Sequence, residues 1–128
     1  MSNIKIKICG IKNTAILDCC NDHNVDYCGL IFYKKSPRNI DIKKAKKIIN
    51  SQKKTIPVGV FVNHDLNDLK ELIKITNLKY LQLHGNESND YISKLKDKNK
   101  LTVIKAIGIQ DEKDLSLPPQ YYEQNYQF

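Results

Sequence analysis

One cysteine of this sequence stands where a side chain could do chemistry. Cys9 lies in the segment KICGI at 7–11, where an alternating apolar run gives way to a loop. In a parallel α/β protein the catalytic groups lie at the carboxyl ends of the strands, so this thiol is a candidate catalytic group. A free cysteine is more often a small buried hydrophobic residue. We expect that second role for Cys19, Cys20 and Cys28.

Arg38 is the second candidate, because it is the only arginine among 21 basic residues. Lysine supplies the positive charge everywhere else in the chain. Arginine offers a planar fork that holds a carboxylate or a phosphate through two hydrogen bonds, whereas lysine is a flexible point charge. The sequence therefore predicts that Arg38 binds an anionic group. A surface arginine without a special role is the alternative.

The net charge of +7 does not by itself identify a partner, because the lysines are spread over the whole chain. Such a charge suits nucleic acid, a membrane surface or an anionic small molecule. The sequence shows no basic helix, aromatic RNA-binding motif or zinc spacing, so we expect no nucleic-acid partner. We also expect no membrane partner, because no apolar run approaches the ~18 residues of a membrane span.

Composition predicts one globular domain over residues 1–128, since 41% of the residues are hydrophobic and 27% are charged. The first residues lack the apolar stretch and cleavage site of a signal peptide, which favours a cytoplasmic protein. The adjacent pair Cys19 and Cys20 has no CxxC or histidine-rich spacing around it. We therefore expect four reduced thiols, with neither a disulfide framework nor a zinc site.

Short runs rich in β-branched residues alternate with polar segments of helical spacing. The predicted strands are 4–11, 27–33, 57–62, 79–84 and 102–109. The predicted helix N-caps are Asn13, Asp41, Asp65 and Ser88. The clearest apolar helical stripe is Leu66, Leu69, Leu72, Ile73 and Thr76. This alternation predicts parallel strands in either a barrel or an open doubly wound sheet, between which periodicity does not decide.

Polar side chains recur on one face of the predicted strands, opposite the isoleucine and leucine faces that we expect to meet the helices. These side chains are predicted to line a cationic interior of the sheet: Lys7, Cys9, Gln82, His84 and Lys105. Lys5 and His84 could instead lie at strand ends in ordinary contact with solvent.

Five linked motifs make the resemblance to one family specific. They are KICGI at 7–11, CGLIFYKKSPRNI at 28–40, VGVFVN at 58–63, LQLHGNES at 81–88 and VIKAIGI at 103–109. In order and spacing the chain resembles the N-terminal part of the phosphoribosylanthranilate isomerases, tryptophan-pathway enzymes with a TIM (β/α)8 barrel. The resemblance implies an incomplete barrel of about five parallel βα units.

The reaction that the resemblance implies is an Amadori rearrangement without metal or organic cofactor. It converts N-(5-phosphoribosyl)anthranilate into 1-(2-carboxyphenylamino)-1-deoxyribulose 5-phosphate. By resemblance Cys9 is the general base that removes the proton from the sugar C2 carbon. A free thiol is only a few per cent thiolate at neutral pH, so this role needs a stabilised anion. Lys7, two residues earlier on the same face, could stabilise it.

The same resemblance implies which residues bind the small phosphosugar-anthranilate substrate. Arg38 matches the arginine that holds the anthranilate carboxylate, presented by a loop that Pro37 stiffens. His84 and Gln82 match positions near the active site, without a defined chemical role. Asn63, which ends VGVFVN, fits a turn or strand-end residue as well as a substrate contact.

We expect this sequence to lack two parts of the family's active site. They are the general-acid aspartate on the sixth strand and the phosphate-binding loops after strands seven and eight. Residues 116–128 are predicted to form an irregular tail leading to a missing sixth strand. The first and fifth strands would then be open edges that invite association. Two functions stay open: an isomerase fragment that is inactive alone, or a non-catalytic half-barrel remnant or binding module completed by another chain. Indoleglycerol-phosphate synthase is a weaker alternative, since KICGI and SPR do not fit it well.

Overall fold

The computed structural model describes residues 3–97 and 100–116, with side chains up to 114. The predicted tail at 116–128 lies almost wholly outside the described residues. Strands and helices alternate along the chain as β1 Lys7–Cys9, α1 Thr14–Asp22, β2 Tyr27–Ile31, α2 Ile42–Asn50, β3 Ile56–Phe61, α3 Leu66–Thr76, β4 Tyr80–Leu83, α4 Asn89–Lys96 and β5 Thr102–Lys105. A 3₁₀ helix, Glu112–Ser116, follows. No described helix is both long and apolar enough to cross a membrane.

All pairings in the described sheet are parallel, in the order β1-β2-β3-β4-β5. The five predicted strands are therefore confirmed, but several are shorter than expected. The first pairs only from Lys7 with Tyr27 to Cys9 with Gly29, because its neighbour β2 begins at Tyr27. Sequential strands lying side by side with helical crossovers are the topology of a (β/α) barrel.

Each predicted N-cap is confirmed by a side chain that accepts a hydrogen bond from a backbone N–H of the first helical turn. Such a bond satisfies one of the orphan donors at the start of a helix. The four caps are Asn13, Asp41, Asp65 and Ser88. The apolar stripe of α3 is confirmed too, since Leu69, Ile73 and Thr76 are buried and Leu66 and Leu72 pack against the core. Local sequence thus sets both where the helices begin and which face they bury.

The main hydrophobic core lies between the sheet and the helices. Leu81 and Leu83 of β4 are fully buried there, which confirms the predicted leucine face. The isoleucine face of the first strand does not behave in the same way, because Ile6 is 50% and Ile8 45% exposed. Ile8 pairs with the buried Cys28 and so lies on the helix-facing side as expected. It is not buried there, because β1 is at the edge of the described sheet and has a neighbour on one side only.

The opposite face of the sheet is concave. Tyr27 of β2 and Tyr80 of β4 have ring centroids 5.9 Å apart, although β3 lies between their strands. Two strand spacings of a flat sheet are roughly 9–10 Å. The two rings converge because the sheet curls toward this face. The curl favours the barrel over the open doubly wound sheet.

Lys105 is on the other side of the sheet from its predicted position. Residues paired between neighbouring strands point to the same side, and Lys105 pairs with Leu83 just as Val103 pairs with Leu81. Lys105 therefore shares the helix-facing side of the buried leucines and does not line the concave interior. A lysine is tolerated there because its ammonium group contacts the buried carboxylate of Glu87.

Candidate active site

The thiol of Cys9 lies at the carboxyl end of β1, on the concave face. The chain turns immediately after it at Gly10, whose φ of +89° suits glycine. The N–H groups of Gly10 and Ile11 both donate to the carbonyl oxygen of Gly29 and fix this turn against β2. Gly29 also makes room for the thiol, since a Cβ there would lie 2.6 Å from Cys9 Sγ. The position of the sulfur thus depends on two glycines.

The loop between β2 and α2 folds back on β2 and carries Arg38 to the same edge. The N–H of Ile40 donates to the carbonyl oxygen of Ile31 at 2.9 Å, which closes the loop. Within it, Ser36 Oγ accepts a hydrogen bond from the N–H of Arg38 at 3.2 Å. With the loop held in this way, the Arg38 side chain reaches β1.

Arg38 and Cys9 are brought into direct contact. Arg38 Nη1 donates to the carbonyl oxygen of Cys9 at 3.0 Å. The side chain lies against Gly10, where a Cβ would come within 2.5 Å of Arg38 Cδ. A guanidinium carries five N–H donors, so one bond to the backbone leaves others for an anionic ligand. Arg38 is exposed, as a residue that meets a ligand from solvent must be.

The other predicted binding residues lie on β1, beside Cys9, and on or just after β4. Lys7 is half-buried on β1, two residues before the thiol and on the same face. Gln82 is half-buried on β4, and its pairing with Val60 and Ile104 places it on the concave face. His84 follows β4 and is exposed, with its N–H bonded to the carbonyl oxygen of Phe61. Their roles toward a substrate remain predictions.

A polar network around a buried ion pair, at the ends of β3, β4 and β5, was not predicted from the sequence. It joins Asn63, Gly85, Glu87 and Lys105. Asn63 follows β3 with a left-handed backbone and accepts a hydrogen bond from the Asn86 N–H, which agrees with the turn or strand-end role expected for it. The sequence did contain a signal for this network: Lys105 lies inside an apolar strand, and Glu87 lies in the loop after the preceding strand.

The four cysteines are free thiols in different surroundings. Cys20 and Cys28 are buried as expected, and burial raises the pKa of both, that of Cys28 to about 12. The expectation for Cys19 was wrong, because this residue points outward from α1 and is exposed near His23. Among residues 3–97 and 100–114 no three or more His, Cys, Asp or Glu side chains form a group able to hold a metal ion.

A curled parallel sheet of sequential strands with helical crossovers has the architecture of the (β/α)-barrel class, in which functional residues lie at the carboxyl ends of the strands. The family model described as N-(5'-phosphoribosyl)anthranilate (PRA) isomerase matches residues 6–127. The chain belongs to this isomerase family.

Curated relatives and solved structures agree with this membership. The isomerase of Thermoanaerobacter pseudethanolicus is 36% identical over 98% of this chain and 60% of its own length, and that of Clostridium acetobutylicum is 38% identical over 88% and 53%. The crystal structure of the Thermotoga maritima isomerase matches with a TM-score of 0.81 at 32% identity, over 88% of this chain and 54% of that one. A further isomerase structure, in complex with reduced 1-(o-carboxyphenylamino)-1-deoxyribulose 5-phosphate, has a TM-score of 0.82 at 32% identity over 88% of this chain and 57% of that one. The chain thus spans about 60% of the length of the first of these relatives.

Proposed function

We propose that this chain supplies the general base and the anthranilate-binding residue of a phosphoribosylanthranilate isomerase. The observation that carries the proposal is the contact between Arg38 and Cys9. A carboxylate held by the guanidinium places the rest of the ligand beside the thiol at the end of β1. The substrate is N-(5-phosphoribosyl)anthranilate and the product its aminoketose isomer.

The chemistry needs a base at one carbon atom. Protonation of the ribose ring oxygen opens the ring and leaves an iminium group between C1 and the anthranilate nitrogen. Cys9 then removes the proton from C2, and the electron pair of that C–H bond forms the C1–C2 double bond while the iminium is neutralised. Protonation of the resulting enol at C1, with loss of the proton from the C2 hydroxyl group, gives the ketone at C2. No atom is lost, as an isomerisation requires.

The remaining predicted residues serve binding in this proposal. Lys7 places a positive charge on the strand face that carries the thiol, where it attracts the anionic substrate. Gln82 and His84 contact the substrate from β4 and from the loop that follows it. The strand pairings support this for Lys7 and Gln82, which lie on the concave face with Cys9. These assignments need no cofactor.

We assign the general acid and the phosphate grip to βα units other than those described. The described strands form an open sheet, with β1 and β5 as its edges, so the concave face is enclosed on one side only. The chain is then one cytoplasmic domain that turns over substrate when further units close the barrel. The alternative is a non-catalytic half-barrel remnant or binding module completed by another chain. In that case Cys9 takes no part in catalysis.

Growth of a tryptophan auxotroph that lacks the isomerase tests the proposal. The chain is expressed alone, and also with the C-terminal part of the Thermoanaerobacter pseudethanolicus isomerase that it does not match, a combination called here the complemented pair. The complemented pair is expected to restore growth, whereas the pair carrying Cys9→Ser is not. Equal growth with Cys9→Ser would contradict the assignment of the base.

A further inference from the structure

A buried ion pair lies beneath the loop that follows β4. Lys105 Nζ is 2.8 Å from Glu87 Oε2, and the two side chains are only 6% and 2% exposed. Removing two charges from water costs several kcal/mol per ion, and a well-packed apolar pair of similar volume is often at least as stable. Stability alone is therefore a poor explanation for this pair. What the two charges hold in place is more informative.

The Glu87 carboxylate joins three segments of the chain. Its Oε1 accepts a hydrogen bond from the N–H of Asn63, after β3, at 2.8 Å. Its Oε2 accepts from the N–H of Gly85, after β4, at 3.0 Å, and from Lys105 at the end of β5. Lys105 also donates to the carbonyl oxygen of Gly85. Both backbone polar groups of Gly85 are thus held by the ion pair.

Asn63 provides a second link to the same loop. Its backbone is left-handed, with φ of +50°, and its Oδ1 accepts a hydrogen bond from the N–H of Asn86 at 2.7 Å. The amide packs so closely on Gly85 that a Cβ there would lie 2.3 Å from Oδ1. Burial acts to raise the pKa of Glu87, but the hydrogen bonds from Lys105 and Asn63 outweigh it and keep the pKa below its usual range. The carboxylate therefore stays charged at neutral pH.

His84 is the residue whose position this network decides. It directly precedes Gly85, and its own N–H donates to the carbonyl oxygen of Phe61 at 2.9 Å. Together with Asn86 it lines an open cavity of about 390 Å³ at the ends of β4 and β5. A side chain on a loop is placed more precisely where hydrogen bonds fix the backbone around it.

We propose that Glu87 and Lys105 are positioning residues that fix the loop 84–88 and thereby place His84 for substrate binding. The part that concerns substrate rests on the proposed function. The part that concerns the loop does not. The two parts are therefore measured separately.

Amide hydrogen exchange of this chain tests the loop. The variant Glu87→Leu/Lys105→Met replaces the pair with apolar side chains, and Asp18→Leu/Lys53→Met makes the same change in an exposed ion pair. Exchange is measured at the amides of His84 and Asn86. Neither amide donates a hydrogen bond to Glu87, so faster exchange there would report loosening of the loop and not the loss of a bond to the substituted residue. We expect exchange at least about tenfold faster than in wild type, with the Leu81 amide and the surface control unchanged.

Unchanged exchange at His84 and Asn86 in a folded Glu87→Leu/Lys105→Met variant would overturn the proposal. If that variant does not fold, the nearly isosteric Glu87→Gln takes its place. Faster exchange at His84 and Asn86 is again expected, and unchanged exchange there would again overturn the proposal.

A double-mutant cycle tests the link to substrate. Its probe is reduced 1-(o-carboxyphenylamino)-1-deoxyribulose 5-phosphate, and the protein is the complemented pair. We expect Glu87→Leu/Lys105→Met and His84→Ala each to weaken binding about tenfold, and the combined variant to be no weaker than either, because both act through one side chain. Additive losses would show that the ion pair acts independently of His84 and would overturn the positioning role. Absence of binding by the wild-type pair would refute the proposed function instead, while hydrogen exchange still decides the loop.

Discussion

Arg38 and Cys9 are joined by a hydrogen bond of 3.0 Å from the guanidinium Nη1 to the backbone carbonyl oxygen. The bond connects the loop after β2 with the last residue of β1, 29 positions earlier. In the proposed reaction, the group that holds the substrate carboxylate is thereby anchored on the residue that removes the proton. Binding of the carboxylate and removal of the proton thus depend on residues that are anchored to each other, which fixes the distance between the anthranilate ring and the base.

Gly10 is predicted to be essential for this contact. Gly10→Ala places a Cβ 2.5 Å from Arg38 Cδ, at a φ of +89° that side chains rarely adopt. We expect a stability loss of about 1–3 kcal/mol and displacement of the guanidinium, with affinity for the reduced product analogue at least about tenfold weaker. Calorimetry on the complemented pair measures the affinity. Asn77→Ala, at another left-handed position (φ +59°) at the end of α3, is the control for backbone strain and is expected to keep wild-type affinity. Wild-type affinity in Gly10→Ala would refute the assignment.

Substitutions of Arg38 separate charge from shape. Arg38→Ala removes both the charge and the fork, and Arg38→Lys keeps only the charge. We expect both to weaken analogue binding, Arg38→Ala by about 2 kcal/mol and Arg38→Lys by somewhat less, because the two-pronged bond to a carboxylate is lost in each. Lys35→Ala, in the same exposed loop, serves as the control for lost charge. Full affinity in Arg38→Lys would show that a point charge suffices.

Much of the fold follows from local sequence. The N-caps and the stripe of α3 were predictable because each depends on a few neighbouring residues. The exposure of Ile8 and the burial of Lys105 were not, because both depend on which strands and loops surround them. Alternation along a strand gives two faces but not which face meets the helices.

The candidate site was only partly predictable for the same reason. The sequence shows that Arg38 is the only arginine and that Cys9 lies at the end of a predicted strand. It does not show their contact, since this depends on the folding back of the loop after β2. Glu87 was missed because a carboxylate in a polar loop normally lies in solvent, and only the packing of Lys105 draws it inside.

The buried thiol of Cys28 is expected to lower the stability of the folded chain at alkaline pH. Burial raises the pKa of its thiol to about 12, above the usual 9.0 that applies in the unfolded chain. Between these values the unfolded state loses the proton and the folded state keeps it, so stability falls as pH rises from about 9 toward 12. Urea unfolding at pH 8 to 11 is expected to show a shallower decline in Cys28→Ala than in wild type. Cys19→Ala, at an exposed site, is the control, and equal slopes for wild type and Cys28→Ala would refute the prediction.

The open edge at β1 predicts self-association of the 128-residue chain. Ile6 and Ile8 are exposed beside a strand that is unpaired on its outer side within the described sheet. We expect sedimentation velocity to show association that grows with concentration and is weakened at least about tenfold by Ile6→Lys/Ile8→Lys. Ile16→Lys, on the exposed side of α1, is expected to leave it unchanged. A strictly monomeric wild-type chain would contradict this expectation.

Steady-state kinetics of Cys9→Ser, combined with analogue binding, test the central claim most directly. A serine of nearly the same size keeps the place beside Gly29 but is a far weaker base than a thiolate. In the complemented pair we predict that kcat falls by about 10²–10⁴, while affinity for the reduced product analogue stays within about threefold of wild type. Turnover close to wild type would contradict the account, because the proton at C2 would then be removed by a group other than Cys9.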